Sequence, residues 1–282
     1  MHYMKEIKLV ALDLDGTLFN PEGIITEKTK DELRRAGAKG VHTVICTGRP
    51  YNGVPFDQIT DTSIEYAITT NGASIYRISD HNCLYDDSMT AETYLPILEY
   101  ILSREIHIDV YIDGKGYTPI RCRENLHRLD VPESLKKYMI ATRTPVENLL
   151  DYVKDCGEKI QKINLVFYPQ PDGSLLYRDE VYEVLKSNPD ITVVGGGFRN
   201  FEIGKAGVTK IGGIEELCKI LDVPMEQTMA IGDSENDYSM INAAGVGVAM
   251  ANASEDILAI ADYITTSNTE DGVGEAIKHF IP

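Results

Sequence analysis

Two aspartates separated by one leucine close an apolar run in "ALDLDGTLF", Ala11 to Phe19. In an extended strand, residues two apart point the same way, so Asp13 and Asp15 are expected to share a side, with Leu14 opposite. Gly16 and Thr17 then turn the chain. A solvated turn with one capping carboxylate would explain this pair equally well, but three more polar clusters follow apolar runs. "ICTGRP" ends a second run with Thr47, Gly48 and Arg49, where a hydroxyl and exposed backbone N–H groups can hold a phosphate oxygen. Lys210 opens the helical "TKIGGIEEL"; a cation there opposes the helix dipole unless it serves nearby anions. "AIGDSENDYSM" ends another run with Asp233, followed by Asn236 and Asp237. Ser234 and Asp237 fit a helix capping box, which accounts for them but not for Asp233.

The elements carrying these clusters alternate in type. "IKLVALD", "VHTVICT" and "YAITT" read as strands buried on both faces, as in parallel sheets. Between the first two, "TEKTKDELRRAG" reads as a helix capped by Thr26 and stopped near Gly37 or Gly40. Asn71-Gly72 predicts a hairpin. After Val208 the same alternation returns, with strands at "TMAIGD", "VGVAM" and "YITT". The expected fold class is α/β, a doubly wound parallel sheet of Rossmann-like type built from both ends of the chain. The middle is more α+β, with a second hairpin at Asp113-Gly114. It is read as an inserted domain over 85–195, leaving 1–84 and 196–282 as the core. Gly195-Gly196-Gly197 is a candidate exit hinge.

Composition narrows the function. The 282 residues carry 27 basic and 44 acidic side chains, a net charge of −17. A nucleic-acid backbone needs a basic footprint, so that partner class is excluded. An anionic substrate would need a local cation or a bound metal. Five dispersed cysteines without a CxxC pair argue for a reducing compartment and against a disulfide or zinc framework. The N-terminal apolar run is cut by Asp13 and does not read as a signal peptide, and no run approaches a membrane span. A cytoplasmic protein is the expectation; oligomeric state, including a homodimer, stays open.

DxDGT, TGR, Lys and GDxxND, in that order, resemble the haloacid-dehalogenase superfamily of phosphotransferases. "NGASI", "AGVGVAMANA" and "TTSNTEDGV" look like its Cof-type phosphatases, which insert a large α/β cap after the third strand. The resemblance implies a phosphatase acting on monoesters of small metabolites through an aspartyl-phosphate. Asp13 would be the nucleophile and Asp15 the general acid/base. Thr47, the backbone at Gly48, Lys210 and Asn236 would hold the phosphoryl group. Asp13, the carbonyl of Asp15, and Asp233 would bind Mg²⁺, with Asp237 supporting them. The family usually has glycine after the motif lysine; here Ile211 follows Lys210, and Gly212 and Gly213 come later. Sugar phosphates, pyridoxal phosphate and flavin mononucleotide all suit the resemblance. A phosphomutase and a non-catalytic phosphometabolite sensor are the alternatives.

Overall fold

The computed structural model describes residues 6–156, 159–195 and 199–282. The chain divides into two compact units. The first holds the chain up to Arg49, Val54–Tyr85 and Thr209–Pro282; the second holds Pro50–Gly53 and Asp86–Val208. In chain order the strands are β1 (Leu9–Leu12), β2 (His42–Cys46), β3 (Ile64–Thr69), β4 (Ser74–Arg77), β5 (Asn82–Asp86), β6 (His107–Ile112), β7 (Lys115–Pro119), β8 (Arg143–Val146), β9 (Lys162–Val166), β10 (Ile191–Gly195), β11 (Phe201–Lys205), β12 (Thr228–Gly232), β13 (Val246–Ala249) and β14 (Tyr263–Ile264).

In the first unit the sheet order is β14-β13-β12-β1-β2-β3-β4-β5. β14 through β3 run parallel, and β4 turns back antiparallel to β3. All four residues of β1 are fully buried, as its uninterrupted apolar run requires of a strand covered on both faces. The chain leaves β1 toward β2 and β3 on one side, and β12 to β14 fill the other. The order therefore reverses between β1 and β12, the place where open α/β sheets form a crevice at their carboxyl ends. Local signals act as read from sequence. Thr26 caps the Glu27–Ala38 helix by accepting from the Thr29 N–H at 3.2 Å, and Thr70–Gly72 joins β3 to β4 with Asn71 at φ 60°.

The second unit has its own sheet, ordered β10-β11-β9-β6-β7-β8, antiparallel except where β7 meets β8. Alternation along β6 divides its faces. Ile108, Val110 and Ile112 join a core with the Ala91–Leu102, Leu149–Cys156 and Arg178–Leu185 helices. His107, Asp109 and Tyr111 occupy the other face. Asp113 (φ 47°) and Gly114 (φ 70°) form the hairpin between β6 and β7. This sheet extends to Lys205 because β11 pairs with both β10 and β9, so the second unit runs past the boundary at 195 read from sequence. Gly195 ends β10; Gly196 and Gly197 of the candidate hinge lie outside the described residues. Among the described residues, no helix is long and apolar enough to cross a membrane.

Candidate active site

β1 ends at Leu12, so neither Asp13 nor Asp15 lies in the strand that the alternation argument requires. Leu14–Leu18 forms a wide single turn, with Asp15 at φ −82°, ψ 110° and Gly16 at φ 89°. The two aspartates therefore do not share a strand face. Asp13 is buried, whereas the Asp15 side chain is 62% exposed. The turn explains why glycine stands at 16. A Cβ there would lie 2.4 Å from Asp233 Oδ2, and the positive φ disfavours any other residue.

Lys210 is the first residue of the Lys210–Leu221 helix, whose Thr209 cap accepts from the Gly212 N–H. Its buried ammonium donates to Asp13 Oδ1 and to Asp237 Oδ1, both at 2.6 Å. Ile211 joins the hydrophobic core beside that helix, so its presence after the lysine does not displace Lys210. Lys205 lies in β11 and pairs with Asp87, within the second unit. Asp237 has its other oxygen committed as well: Oδ2 accepts from the backbone N–H groups of Asp233 (3.0 Å) and Ser234 (3.1 Å). The capping role inferred for Asp237 and its place beside Lys210 thus coexist in one carboxylate.

Asp233 follows β12 and accepts from the Thr17 hydroxyl at 2.8 Å. From sequence Thr17 reads only as part of the turn; its bond to Asp233 is what the structure adds. Asn236 accepts from Ser234 through Oδ1 at 2.9 Å, and its amide nitrogen donates to no group among the described residues. Thr47 follows β2, is buried, and accepts from the Arg49 N–H at 3.2 Å. Gly48 follows it, half-buried. Arg49 is the residue whose role the motif concealed: Nε donates to Asp15 Oδ2 at 2.9 Å and Nη2 to Asp15 Oδ1 at 2.6 Å. Its place in "TGR" was the available signal.

Oxygen atoms of Asp13, Asp233 and Asp237 lie within 4.8 Å of one another. Three carboxylates then surround one ammonium, and burial makes the excess negative charge costly. Burial, with repulsion from Asp237, pushes the Asp13 carboxyl well above its usual range despite Lys210. Burial pushes Asp233 up to about 6; the Thr17 hydrogen bond opposes that shift, while Asp237 adds to it. Burial alone would depress Lys210, but the charges of Asp13 and Asp237 outweigh it and hold the amine protonated. An all-oxygen donor set with unneutralised charge fits a hard divalent cation such as Mg²⁺. The Asp15 carboxylate is held by Arg49, and its charge adds to the negative field that raises Asp233.

Residues 10–277 match the family model for haloacid dehalogenase-like hydrolases. The chain belongs to that family. It is 30% identical to the phosphatase YwpJ of Bacillus subtilis, over 98% of this chain and 100% of the relative. It is also 30% identical to the 5-amino-6-(5-phospho-D-ribitylamino)uracil phosphatase YcsE of Bacillus subtilis, over 98% and 96% of the two chains. A solved haloacid dehalogenase-like hydrolase from B. subtilis superposes with a TM-score of 0.82 at 29% identity, covering 97% of this chain and 99% of the other. The chain is accordingly an enzyme of the phosphoric monoester hydrolase class.

In the second unit, basic residues that could have met a further anion are already engaged. Arg121 donates to the Leu102 carbonyl, Arg123 to that of Ile140, and Arg128 pairs with Glu105 over the Tyr168 ring. Tyr117 packs against Tyr152, and the buried Tyr111 accepts from Arg143 through its hydroxyl.

Proposed function

We propose that the chain is a Mg²⁺-dependent phosphatase of small phosphorylated metabolites, with Asp13 as nucleophile and Asp15 as proton-transfer group. One observation carries this reading. Asp13 stands at the carboxyl end of β1, beside the reversal in strand order, with one oxygen held by Lys210 and its side chain still 8% exposed. A carboxylate fixed through one oxygen presents the other to phosphorus in a set direction. Displacement in line at phosphorus joins Asp13 to the phosphoryl group and releases an alkoxide, which takes its proton from Asp15; water, losing a proton to Asp15, then bonds to phosphorus as the bond to Asp13 breaks, freeing the carboxylate and inorganic phosphate. Lys210 offsets repulsion between Asp13 and a dianionic phosphate. Thr47, the Gly48 backbone and the uncommitted amide of Asn236 are placed by this reading on the phosphoryl oxygens.

Asp13 and Asp233 would hold Mg²⁺ with the Asp15 carbonyl, while Asp237, with both oxygens engaged, orients Lys210 and the Asp233 loop. When bound, the cation neutralises phosphoryl charge and polarises the phosphorus–oxygen bonds. Choice of substrate is assigned to the second unit, on the analogy of the inserted cap of Cof-type enzymes. Relatives acting on a phosphoribityl compound favour a phosphorylated polyol or sugar-like ester as substrate.

The test is a screen of the wild-type protein against sugar phosphates, pyridoxal phosphate, flavin mononucleotide and phosphoribityl compounds, with release of inorganic phosphate as readout. Turnover should need Mg²⁺ and vanish in Asp13→Asn. Activity surviving that substitution would sink the mechanism. Phosphoryl return to a sugar, with little free phosphate, would instead identify a mutase.

A further inference from the structure

We propose that Arg49 is the positioning residue of Asp15, an inference that rests on the phosphatase reading above. Asp15 has the least support of the site carboxylates. It sits on a turn, follows no strand directly, and is mostly exposed. A proton-transfer group in that setting samples many rotamers, yet it must lie within hydrogen-bond reach of the leaving oxygen. The Arg49 fork meets both carboxylate oxygens at 2.9 and 2.6 Å, a paired geometry that fixes direction as well as distance.

Exposed ion pairs usually contribute little because two flexible side chains must be ordered together. Arg49 departs from that case. Its backbone is pinned at both groups: the N–H donates to Thr47 Oγ1 at 3.2 Å, and the carbonyl accepts from the Thr70 N–H at 2.9 Å. The side chain is only 22% exposed. Its guanidinium carbon lies 5.2 Å from the Phe19 ring centroid. Phe19 is itself buried and closes the same turn through its N–H to the Leu14 carbonyl at 2.9 Å. One guanidinium therefore spans the turn, touching Asp15 at one end and Phe19 at the other. Both of the fork contacts go to the carboxylate of Asp15, the proposed proton-transfer group, so through them Arg49 acts on the reaction by way of Asp15. When Asp15 carries the transferred proton, one of the two N–H···O bonds yields and the other keeps the group in place.

The experiment is a leaving-group series. Wild type, Arg49→Gln, Arg49→Lys and Asp15→Asn are assayed for kcat/KM on phosphate esters ranging from alkyl alcohols to dinitrophenol. Alkyl esters need a proton on departure; dinitrophenolate does not. Arg49→Gln should lose on the order of 10-fold or more on alkyl esters, within the range that general acid catalysis supplies, and under about threefold on the dinitrophenyl ester. Arg49→Lys, a point charge without the fork, should fall between. In the Asp15→Asn background, Arg49→Gln should add nothing. A uniform loss along the series, or none, overturns the inference. The pair is also read without turnover, as an Arg49 Nε–H NMR resonance that shifts in Asp15→Asn; no movement overturns it too. If the wild type cleaves no ester, it is the phosphatase reading that falls, and this role with it.

Discussion

Lys210 and Asp237 form an ion pair at 2.6 Å in which both side chains are fully buried. The pair is held from the backbone as well as by charge. The Asp237 oxygen that does not meet Lys210 accepts two N–H groups from the loop carrying Asp233. Lys210 then reaches Asp13 with the same ammonium. A cation at a helix start, unfavourable by the dipole alone, is thereby the link between the ends of β1 and β12.

Removing that ammonium leaves Asp13 and Asp237 buried without a counter-charge. Lys210→Met should abolish turnover and lower stability by about 3–5 kcal/mol. In a thermal melt without divalent cation this corresponds to a fall of roughly 10 °C. Mg²⁺ should recover part of that stability, because it supplies positive charge to Asp13, one of the two stranded carboxylates, but should not recover activity. A melt unchanged from wild type would contradict the central place given to Lys210.

Metal dependence follows from the same excess of negative charge. EDTA should remove activity, and added Mg²⁺ should restore it. Because a ligand that binds only the folded state stabilises it by mass action, Mg²⁺ should raise the melting temperature of wild type. In Asp233→Asn that rise should shrink to a small fraction. The same substitution should raise the melting temperature measured in EDTA, since it removes one negative charge from a crowded, half-buried place in the cluster. Equal Mg²⁺ responses in the two proteins would place the metal elsewhere.

What could be read from sequence depended on how local the determining physics is. β1 and β12 announce themselves as continuous apolar runs, and Lys210 and Asp233 follow from their positions at element ends. Asp15 did not, because it lies three residues past Leu12, where a turn replaces strand periodicity. Arg49 and Thr17 were visible as letters in motifs. Their partners, Asp15 and Asp233, lie 34 and 216 residues away, and no local pattern encodes such a pairing. The extent of the second sheet was underestimated for a related reason: β11 belongs with β9 and β10 through pairing, not composition.

Gly16 offers a steric test of how closely the turn and Asp233 approach. Gly16→Ala places a methyl group 2.4 Å from Asp233 Oδ2 and forces a side chain into a positive φ. The backbone term alone costs about 1–2 kcal/mol. Displacement of Asp233 should weaken Mg²⁺ binding and cut kcat by at least about 10-fold. Gly23→Ala is the control, since Gly23 also has a positive φ but a Cβ there meets nothing within 4 Å. It should share the modest stability loss and retain full activity. Similar activity losses in both variants would reduce the effect at Gly16 to backbone strain.

The second unit carries a pH dependence of its own. Asp109 is fully buried, with Oδ1 3.1 Å from His107 Nε2 and Oδ2 accepting from Arg143 Nε at 3.1 Å. Arg143 also donates to the Tyr111 hydroxyl at 2.6 Å, and its guanidinium carbon lies 5.0 Å from the Tyr138 ring centroid. Burial would raise the Asp109 carboxyl, but Arg143 and His107 outweigh burial and hold it well below the usual carboxylate range. A depressed pKa in the folded state means that the unfolded chain binds the proton first as pH falls. The stabilisation is therefore complete above about pH 4, the unfolded value, and is lost progressively below it. Melting temperatures of the metal-free protein, followed from pH 7 to pH 3, should fall steeply in the last unit for wild type. Asp109→Asn should start lower, because it strands the Arg143 charge, and should fall less between pH 4 and pH 3. Asp109→Asn melting in parallel with wild type through that window would show that this carboxylate is not the source of the acid sensitivity.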